Sequence, residues 1–154
     1  MTRKTTSAYC LCLLYQTAID WNYLQYNDLP CTTFSKRLKK AKLIAGFTQK
    51  TLAEATGLSR DTICELEAGY RENISLDTLN KLLKVLDSNI LCDDYYKFVL
   101  DQEKNINSLI NTYGITKLCN LINTHHSTIY NWLHNKYIVT RKKFNIIKNL
   151  DQNT

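Results

Sequence analysis

The stretch that decides the fold is FTQKTLAEATGLSRDTICELEAG, residues 47–69. Apolar side chains recur there at helical spacing on both sides of one glycine: Leu52, Ala53, Ile63 and Leu66. That glycine is Gly57, and glycine adopts a positive φ at no steric cost, so the chain can turn sharply at this position. Ser59 follows as a typical N-cap residue for the second helix. The stretch therefore predicts two short helices joined by a tight turn.

The neighbouring sequence extends this pair into an all-α fold. Thr33 is a suitable N-cap for a helix that runs to Ala45, with its lysines largely outside the inner face. The inner stripe of that helix is Phe34, Leu38, Ala41 and Ala45. Ser75 is a suitable N-cap for a later helix with a leucine-rich face. Two helices that cross through a short turn form a helix-turn-helix, whose second helix commonly enters the DNA major groove.

The charge of the chain is unevenly distributed. The 154 residues carry a formal net charge of +6. Residues 32–50 and 104–150 contain lysine and arginine but no acid, whereas residues 51–103 between them are net acidic. Two basic blocks indicate contact with a polyanion at two places, and the alternative is that they are ordinary solvated helix faces.

The cysteines and the N-terminus do not suggest a metal site or a membrane span. Six cysteines occur without any CxxC pair, so neither a metal nor another cofactor is expected, and the least unlikely ligands are Cys10, Cys12 and Cys31. Residues 1–31 include an apolar helical face that is too short to cross a bilayer. We interpret this segment as a docking or dimerisation helix or arm, with plain core packing as the alternative. Unpaired cysteines fit a reducing, cytoplasmic setting.

Residues 42–86 resemble the phage-repressor and Cro class of helix-turn-helix proteins, the XRE family. The matching positions are Thr48-Gln49, Leu52-Ala53, Gly57, Ser59, Thr62-Ile63, Leu66-Glu67, Gly69 and Ser75-Leu76. The resemblance implies a compact bundle of four or five helices in a DNA-binding transcription regulator, typically a repressor. In that family an Arg often stands where this chain has Lys42 and bonds a Glu of the third helix, which implies a Lys42–Glu67 pair here.

The resemblance also implies a set of DNA contacts in this first helix-turn-helix. The implied residues are Gln49, Lys50, Ser59, Arg60, Asp61, Thr62, Glu65, Tyr70, Arg71 and Asn73. Gln49 is expected to touch phosphate, and Arg60 could bind guanine O6 and N7. Asp61 and Glu65 could accept from cytosine N4, yet carboxylates near phosphate oppose binding. Whether this helix faces DNA or a protein therefore stays open.

A second, degenerate copy of the motif follows. Leu118-Cys119, Asn123, Thr128-Ile129 and Trp132 stand 66 positions after Leu52-Ala53, Gly57, Thr62-Ile63 and Leu66. Asn123 and Asn135 replace Gly57 and Gly69, as expected where φ must be positive. By register the second recognition helix exposes His126, Ser127, Tyr130 and Asn131. Phosphates could be held, with no acid to oppose them, by Lys136, Tyr137, Arg141, Lys142 and Lys143.

The sequence thus predicts four segments. They are an N-terminal helix or arm (1–31), a first helix-turn-helix domain (32–91), a connecting helix (92–104) and a second, degenerate unit (105–154). The predicted function is sequence-specific transcription regulation in a bacterial or phage-infected cell, with double-stranded DNA as partner and a homodimer through the N-terminal segment as an option. The alternative is a protein-interaction module on the same fold, either an antitoxin or a phage-encoded inhibitor of a host defence system. No spaced carboxylates, nucleophile constellation or phosphate-binding glycine loop indicates an enzyme.

Overall fold

The computed structural model describes residues 21–71 and 74–151, and these residues contain helices but no strand. The chain separates into a first unit, Met1–Cys92, and a second unit, Asp93–Thr154. An all-α fold is therefore confirmed.

The first unit is a bundle of short helices, of which residues 21–26 are called α1. The others are α2 (Phe34–Ile44), α3 (Gln49–Thr56), α4 (Arg60–Ala68), α5 (Leu76–Leu83) and α6 (Ser88–Leu91). The Thr33, Ser59 and Ser75 side chains accept from the backbone N–H three residues later, as N-cap residues do. Helix α2 packs on α4 and α6, and α3 packs on α4.

The core of the first unit lies where these helices meet. Seven large apolar side chains are at most 1% exposed: Leu38, Leu52, Ile63, Leu66, Leu79, Leu82 and Leu91. Full burial of each such side chain contributes about 1.5–3 kcal/mol. The turn between α3 and α4 depends on Gly57, whose φ is 68°, and α4 ends at Gly69, whose φ is 79°. The positive φ predicted at Gly57 is therefore confirmed.

The basic residues of α2 are less exposed than the sequence predicts. Arg37, Lys40 and Lys42 are only 8%, 9% and 8% exposed. Arg37 Nε donates to Leu91 O at 3.0 Å, and Lys40 Nζ donates to Asn27 O. The expectation that the lysines of this helix lie largely outside its inner face is wrong for Lys40 and Lys42. Long aliphatic stems cover apolar surface while the charged ends reach carbonyl or carboxylate oxygens.

The second unit is another helical bundle. Its helices are α7 (Asp94–Leu100), α8 (Gln102–Tyr113), α9 (Ile115–Leu121), α10 (His126–Leu133) and α11 (Arg141–Asp151). Helices α8, α9 and α10 contact one another, and α7 contacts α8. Among its described residues, the apolar side chains that are at most 1% exposed are Ile106, Leu118, Ile122, Ile129, Val139 and Ile147.

The predicted connecting helix is interrupted. Helix α7 ends at Leu100 and α8 begins at Gln102, because Asp101 has non-helical dihedrals (φ −107°, ψ 30°). Both helices belong to the second unit, and Tyr95 and Phe98 place their rings 5.6 and 5.3 Å from the ring of Phe144 in α11. The aromatic residues of α7 therefore form part of this unit's core.

The two asparagines at predicted turn positions adopt positive φ. Asn123 has φ 46° and Asn135 has φ 53°. The backbone prediction at both positions is confirmed.

Most of the N-terminal segment lies outside the described residues, so its predicted docking or dimerising role remains a prediction. In α1, Trp21 and Leu24 are 68% and 72% exposed.

Candidate nucleic-acid interface

Helix α4 begins with a tightly made cap. Ser59 Oγ accepts from Thr62 N at 3.0 Å and lies 2.8 Å from Thr62 Oγ1. Both residues were expected to contact DNA, and the structure brings them together at the start of the helix. Asp61, in the first turn, has the favourable sign for the positive end of the helix dipole.

The exposed face of α4 carries charge of both signs. Arg60 and Asp61 are exposed, and the guanidinium of Arg71 lies 2.7 Å from the carboxylate of Glu65. Tyr70 follows the helix and is 84% exposed. Arg71 therefore neutralises the Glu65 carboxylate, one of the two that are expected to be unfavourable near phosphate. Lys50 is exposed at the start of α3, and Asn73 lies outside the described residues.

A polar network fastens α2, α3 and α4 together. Lys42 Nζ lies 2.7 Å from Glu67 Oε1, with side-chain exposures of 10% and 9%, so the predicted ion pair is present. Gln49 Nε2 donates to Glu67 Oε2 at 2.7 Å, and Cys64 Sγ donates to Gln49 Oε1 at 3.2 Å. Both ends of the Gln49 amide are thus occupied inside the domain. This side chain therefore has a structural role that the sequence did not reveal, and its expected phosphate contact stays a prediction.

With this geometry in place, a comparison with family models finds that residues 38–91 match a helix-turn-helix family. Over this range the chain is similar to helix-turn-helix domains of the XRE type. Searches of the curated proteins and of the solved structures find no significant match. The family is one of DNA-binding domains rather than enzymes, which supports a DNA-binding regulator in general.

Helix α10 of the second unit presents an acid-free, partly aromatic face. His126, Ser127 and Tyr130 are exposed, while Asn131 is half-buried. His125 is the N-cap, since its Nδ1 accepts from Ser127 N at 3.2 Å. The Tyr130 ring is 54% exposed and meets the His134 ring edge-on, with centroids 4.2 Å apart. His125 therefore caps the helix, and His134 stacks at its surface.

Two of the five predicted phosphate-binding residues in this unit bind other groups of the same unit. Arg141 Nη1 lies 2.9 Å from Asp93 Oδ2, and its guanidinium stands 4.2 Å from the centroid of Tyr95. Lys143 Nζ donates to the carbonyls of Ile122, at 2.8 Å, and Asn123, at 2.6 Å. The expectation that no acid lies beside these five residues is wrong, because Asp93, the N-cap of α7, pairs with Arg141. Lys136, Tyr137 and Lys142 remain exposed.

The pKa of Arg141 reflects this placement. Burial acts to lower the pKa of the guanidinium, but hydrogen bonds to Asp93 and Tyr96 outweigh burial and raise the pKa above its ordinary value. Lys148 similarly lowers the pKa of Asp94 through a hydrogen bond and its charge. Arg141 is thus a cation held by its own unit.

Residues 21–71 and 74–151 contain no group of three His, Cys, Asp or Glu side chains that could hold a metal ion. Cys10 and Cys12, named above as the least unlikely ligands, lie outside those residues. Over the same ranges, no helix combines the length and apolar character needed to cross a bilayer.

Proposed function

We propose that this protein is a sequence-specific transcription regulator that reads double-stranded DNA with two recognition helices, α4 and α10. The observation that carries the proposal is that the second unit repeats the backbone pattern of the helix-turn-helix domain. Gly57, Ser59 and Gly69 are the positive-φ turn, the N-cap and the positive-φ end of α4. Asn123, His125 and Asn135 have the same spacing; the asparagines have positive φ and His125 is the N-cap of α10.

Burial follows the same register. Leu52, Ile63 and Leu66 are 0%, 0% and 1% exposed in the first unit. Their counterparts Leu118, Ile129 and Trp132 are 0%, 0% and 4% exposed in the second. Equal spacing of both turn geometry and buried residues supports a second helix-turn-helix.

The proposed mechanism needs no chemistry. Two recognition helices in one chain can read neighbouring half-sites, as a dimer of single motifs does, and occupancy of a promoter then represses transcription. Lys50 and Arg60 in the first unit, with Lys136 and Lys142 in the second, are the exposed cations assigned to phosphates or bases. We place this action in the cytoplasm of a bacterial or phage-infected cell.

The test is selection from random duplex DNA, followed by affinity measurements over a range of salt concentrations. Wild-type protein is expected to enrich a motif and to lose affinity steeply with salt. Lys136→Ala with Lys142→Ala should weaken binding to every sequence and reduce the salt slope by about two units. Arg60→Ala should mainly relax the preference at one base position.

Lys104→Ala provides a matched control, because this exposed lysine on α8 is not among the cations assigned to phosphates or bases. The control should bind as the wild type does. Absence of any enriched motif would refute the regulator, and equal effects of Lys104→Ala and the double variant would refute the assignment of contacts.

A second candidate function is a protein-interaction module, either an antitoxin or a phage-encoded inhibitor of a host defence. It is favoured by the exposed carboxylate of Asp61 on α4, which suits a basic protein surface better than phosphate. The same selection separates the two functions. A stoichiometric complex with a purified partner protein, disrupted by Asp61→Lys and accompanied by no DNA motif, would establish the second function.

A further inference from the structure

The segment between α10 and α11, residues 134–140, is held by one buried polar side chain. Gln102 is 2% exposed. Its Nε2 donates to Trp132 O and Tyr137 O, both at 2.9 Å, and its Oε1 accepts from Val139 N at 2.8 Å. A single side chain thus joins α8 to the end of α10 and to two points of the segment that follows.

Burial of an amide is costly unless its polar atoms are paired, and those of Gln102 are. A second fastening comes from α7, where Tyr95 OH donates to Val139 O at 2.9 Å. Both backbone polar groups of Val139, which is 0% exposed, are therefore held by side chains. These hydrogen bonds hold the segment in place before any partner binds. The segment therefore loses less conformational entropy on binding than a free loop would.

The anchored segment presents side chains suited to a phosphate backbone. Lys136 is exposed, and Tyr137 is 66% exposed although its carbonyl is held by Gln102. An ammonium group and a phenol hydroxyl both donate to phosphate oxygens. Within the segment Asn135 is paired, since its Nδ2 donates to the Glu103 carboxylate at 3.5 Å.

We propose that Gln102 is a positioning residue that holds residues 134–140 so that Lys136 and Tyr137 bind the DNA phosphates beside α10. This inference rests on the proposed function, since it assumes that the second unit binds DNA. It assigns the backbone contact of that unit to the segment after the recognition helix. Arg141 and Lys143, by contrast, hold the unit together.

The test is a double-mutant cycle on DNA affinity in the full chain. Lys136→Ala should lower the affinity for every sequence by about fivefold and the salt slope by about one unit. Gln102→Met, which keeps the side-chain length but makes no hydrogen bonds, should produce the same two losses. The double variant should have the same salt slope as either single variant and should bind more tightly than additive effects predict, because Lys136 is the charged contact that both changes remove.

Tyr95→Phe gives a milder perturbation should Gln102→Met fail to fold, because it removes only the hydrogen bond to Val139 O. Its loss of affinity should be smaller, and its effect on the salt slope should vanish in the Lys136→Ala background. Additive effects in a folded variant would overturn the role of Gln102 and leave the regulator intact. Absence of DNA binding by the wild type would overturn both proposals.

Discussion

Replacing Lys42 by Met removes the cation of the ion pair that joins α2 to α4. The Glu67 carboxylate would keep the hydrogen bond from Gln49 Nε2 but lose the ammonium group 2.7 Å away. Its side chain is 9% exposed, so water cannot fully replace the lost partner. Lys42→Met is therefore expected to leave a buried charge without its counterion.

The expected cost follows from this burial. Removal of one partner from a buried pair costs about 3–5 kcal/mol, and the remaining bond from Gln49 favours the lower end. A loss of about 3 kcal/mol raises the unfolding constant roughly 100-fold. The double variant Lys42→Met, Glu67→Gln carries no charge at this pair and keeps an oxygen for Gln49, so its stability should return to within about 1 kcal/mol of the wild type.

Native-state hydrogen exchange can measure this effect in the full chain. Amides of α3 and α4 report on the first unit, and those of α9 and α10 serve as an internal control because Lys42 and Glu67 both belong to the first unit. A loss below about 1 kcal/mol in Lys42→Met, or a double variant as unstable as the single one, would refute the argument from burial.

Two further predictions concern the second unit. Burial raises the pKa of Tyr95, although the charge of Arg141 acts to lower it, so the folded unit favours the neutral phenol. Tyr95→Phe should cost about 1–3 kcal/mol by leaving Val139 O without its donor. In urea titrations the difference in unfolding free energy between wild type and Tyr95→Phe should be constant below about pH 9. It should shrink as pH rises through about 10 towards the folded pKa, because the phenol of the unfolded chain ionises first. A difference that grows with pH would contradict this prediction. At Asn123, with φ 46°, thermal unfolding should show Asn123→Gly at or above wild-type stability and Asn123→Ala about 1 kcal/mol below it. Equal melting temperatures for these two variants would show that positive φ is not the constraint.

Local features of this fold could be predicted because they depend on neighbours in the chain. Ser59 caps α4 through an amide three residues later, and Asn123 takes the φ that a turn requires. The Lys42–Glu67 pair could be inferred only from resemblance to a family, since its partners lie 25 positions apart.

The candidate contact surface could be predicted less well. Gln49 was expected at phosphate, but its amide lies between Glu67 and Cys64. The position of Gln49 directly after an N-cap can be read from the sequence. That the folded chain brings the Glu67 carboxylate to Gln49 cannot. Gln102 carried no sequence signal at all, because a glutamine in an amphipathic helix is ordinarily exposed.

By itself the sequence determined the helix pair around Gly57, the Ser59 cap, the positive-φ turns and the register of α4 and α10, because these follow from periodicity and backbone sterics within a few residues. Only the tertiary structure decided which cations remain available to a partner. Arg37 and Arg141 count equally with Lys136 in a charge map, yet each is bound by a group at least 48 positions away. The number of charged side chains can be counted from the composition. Whether one of them can reach a partner depends on long-range contacts that desolvate it or pair it with another group.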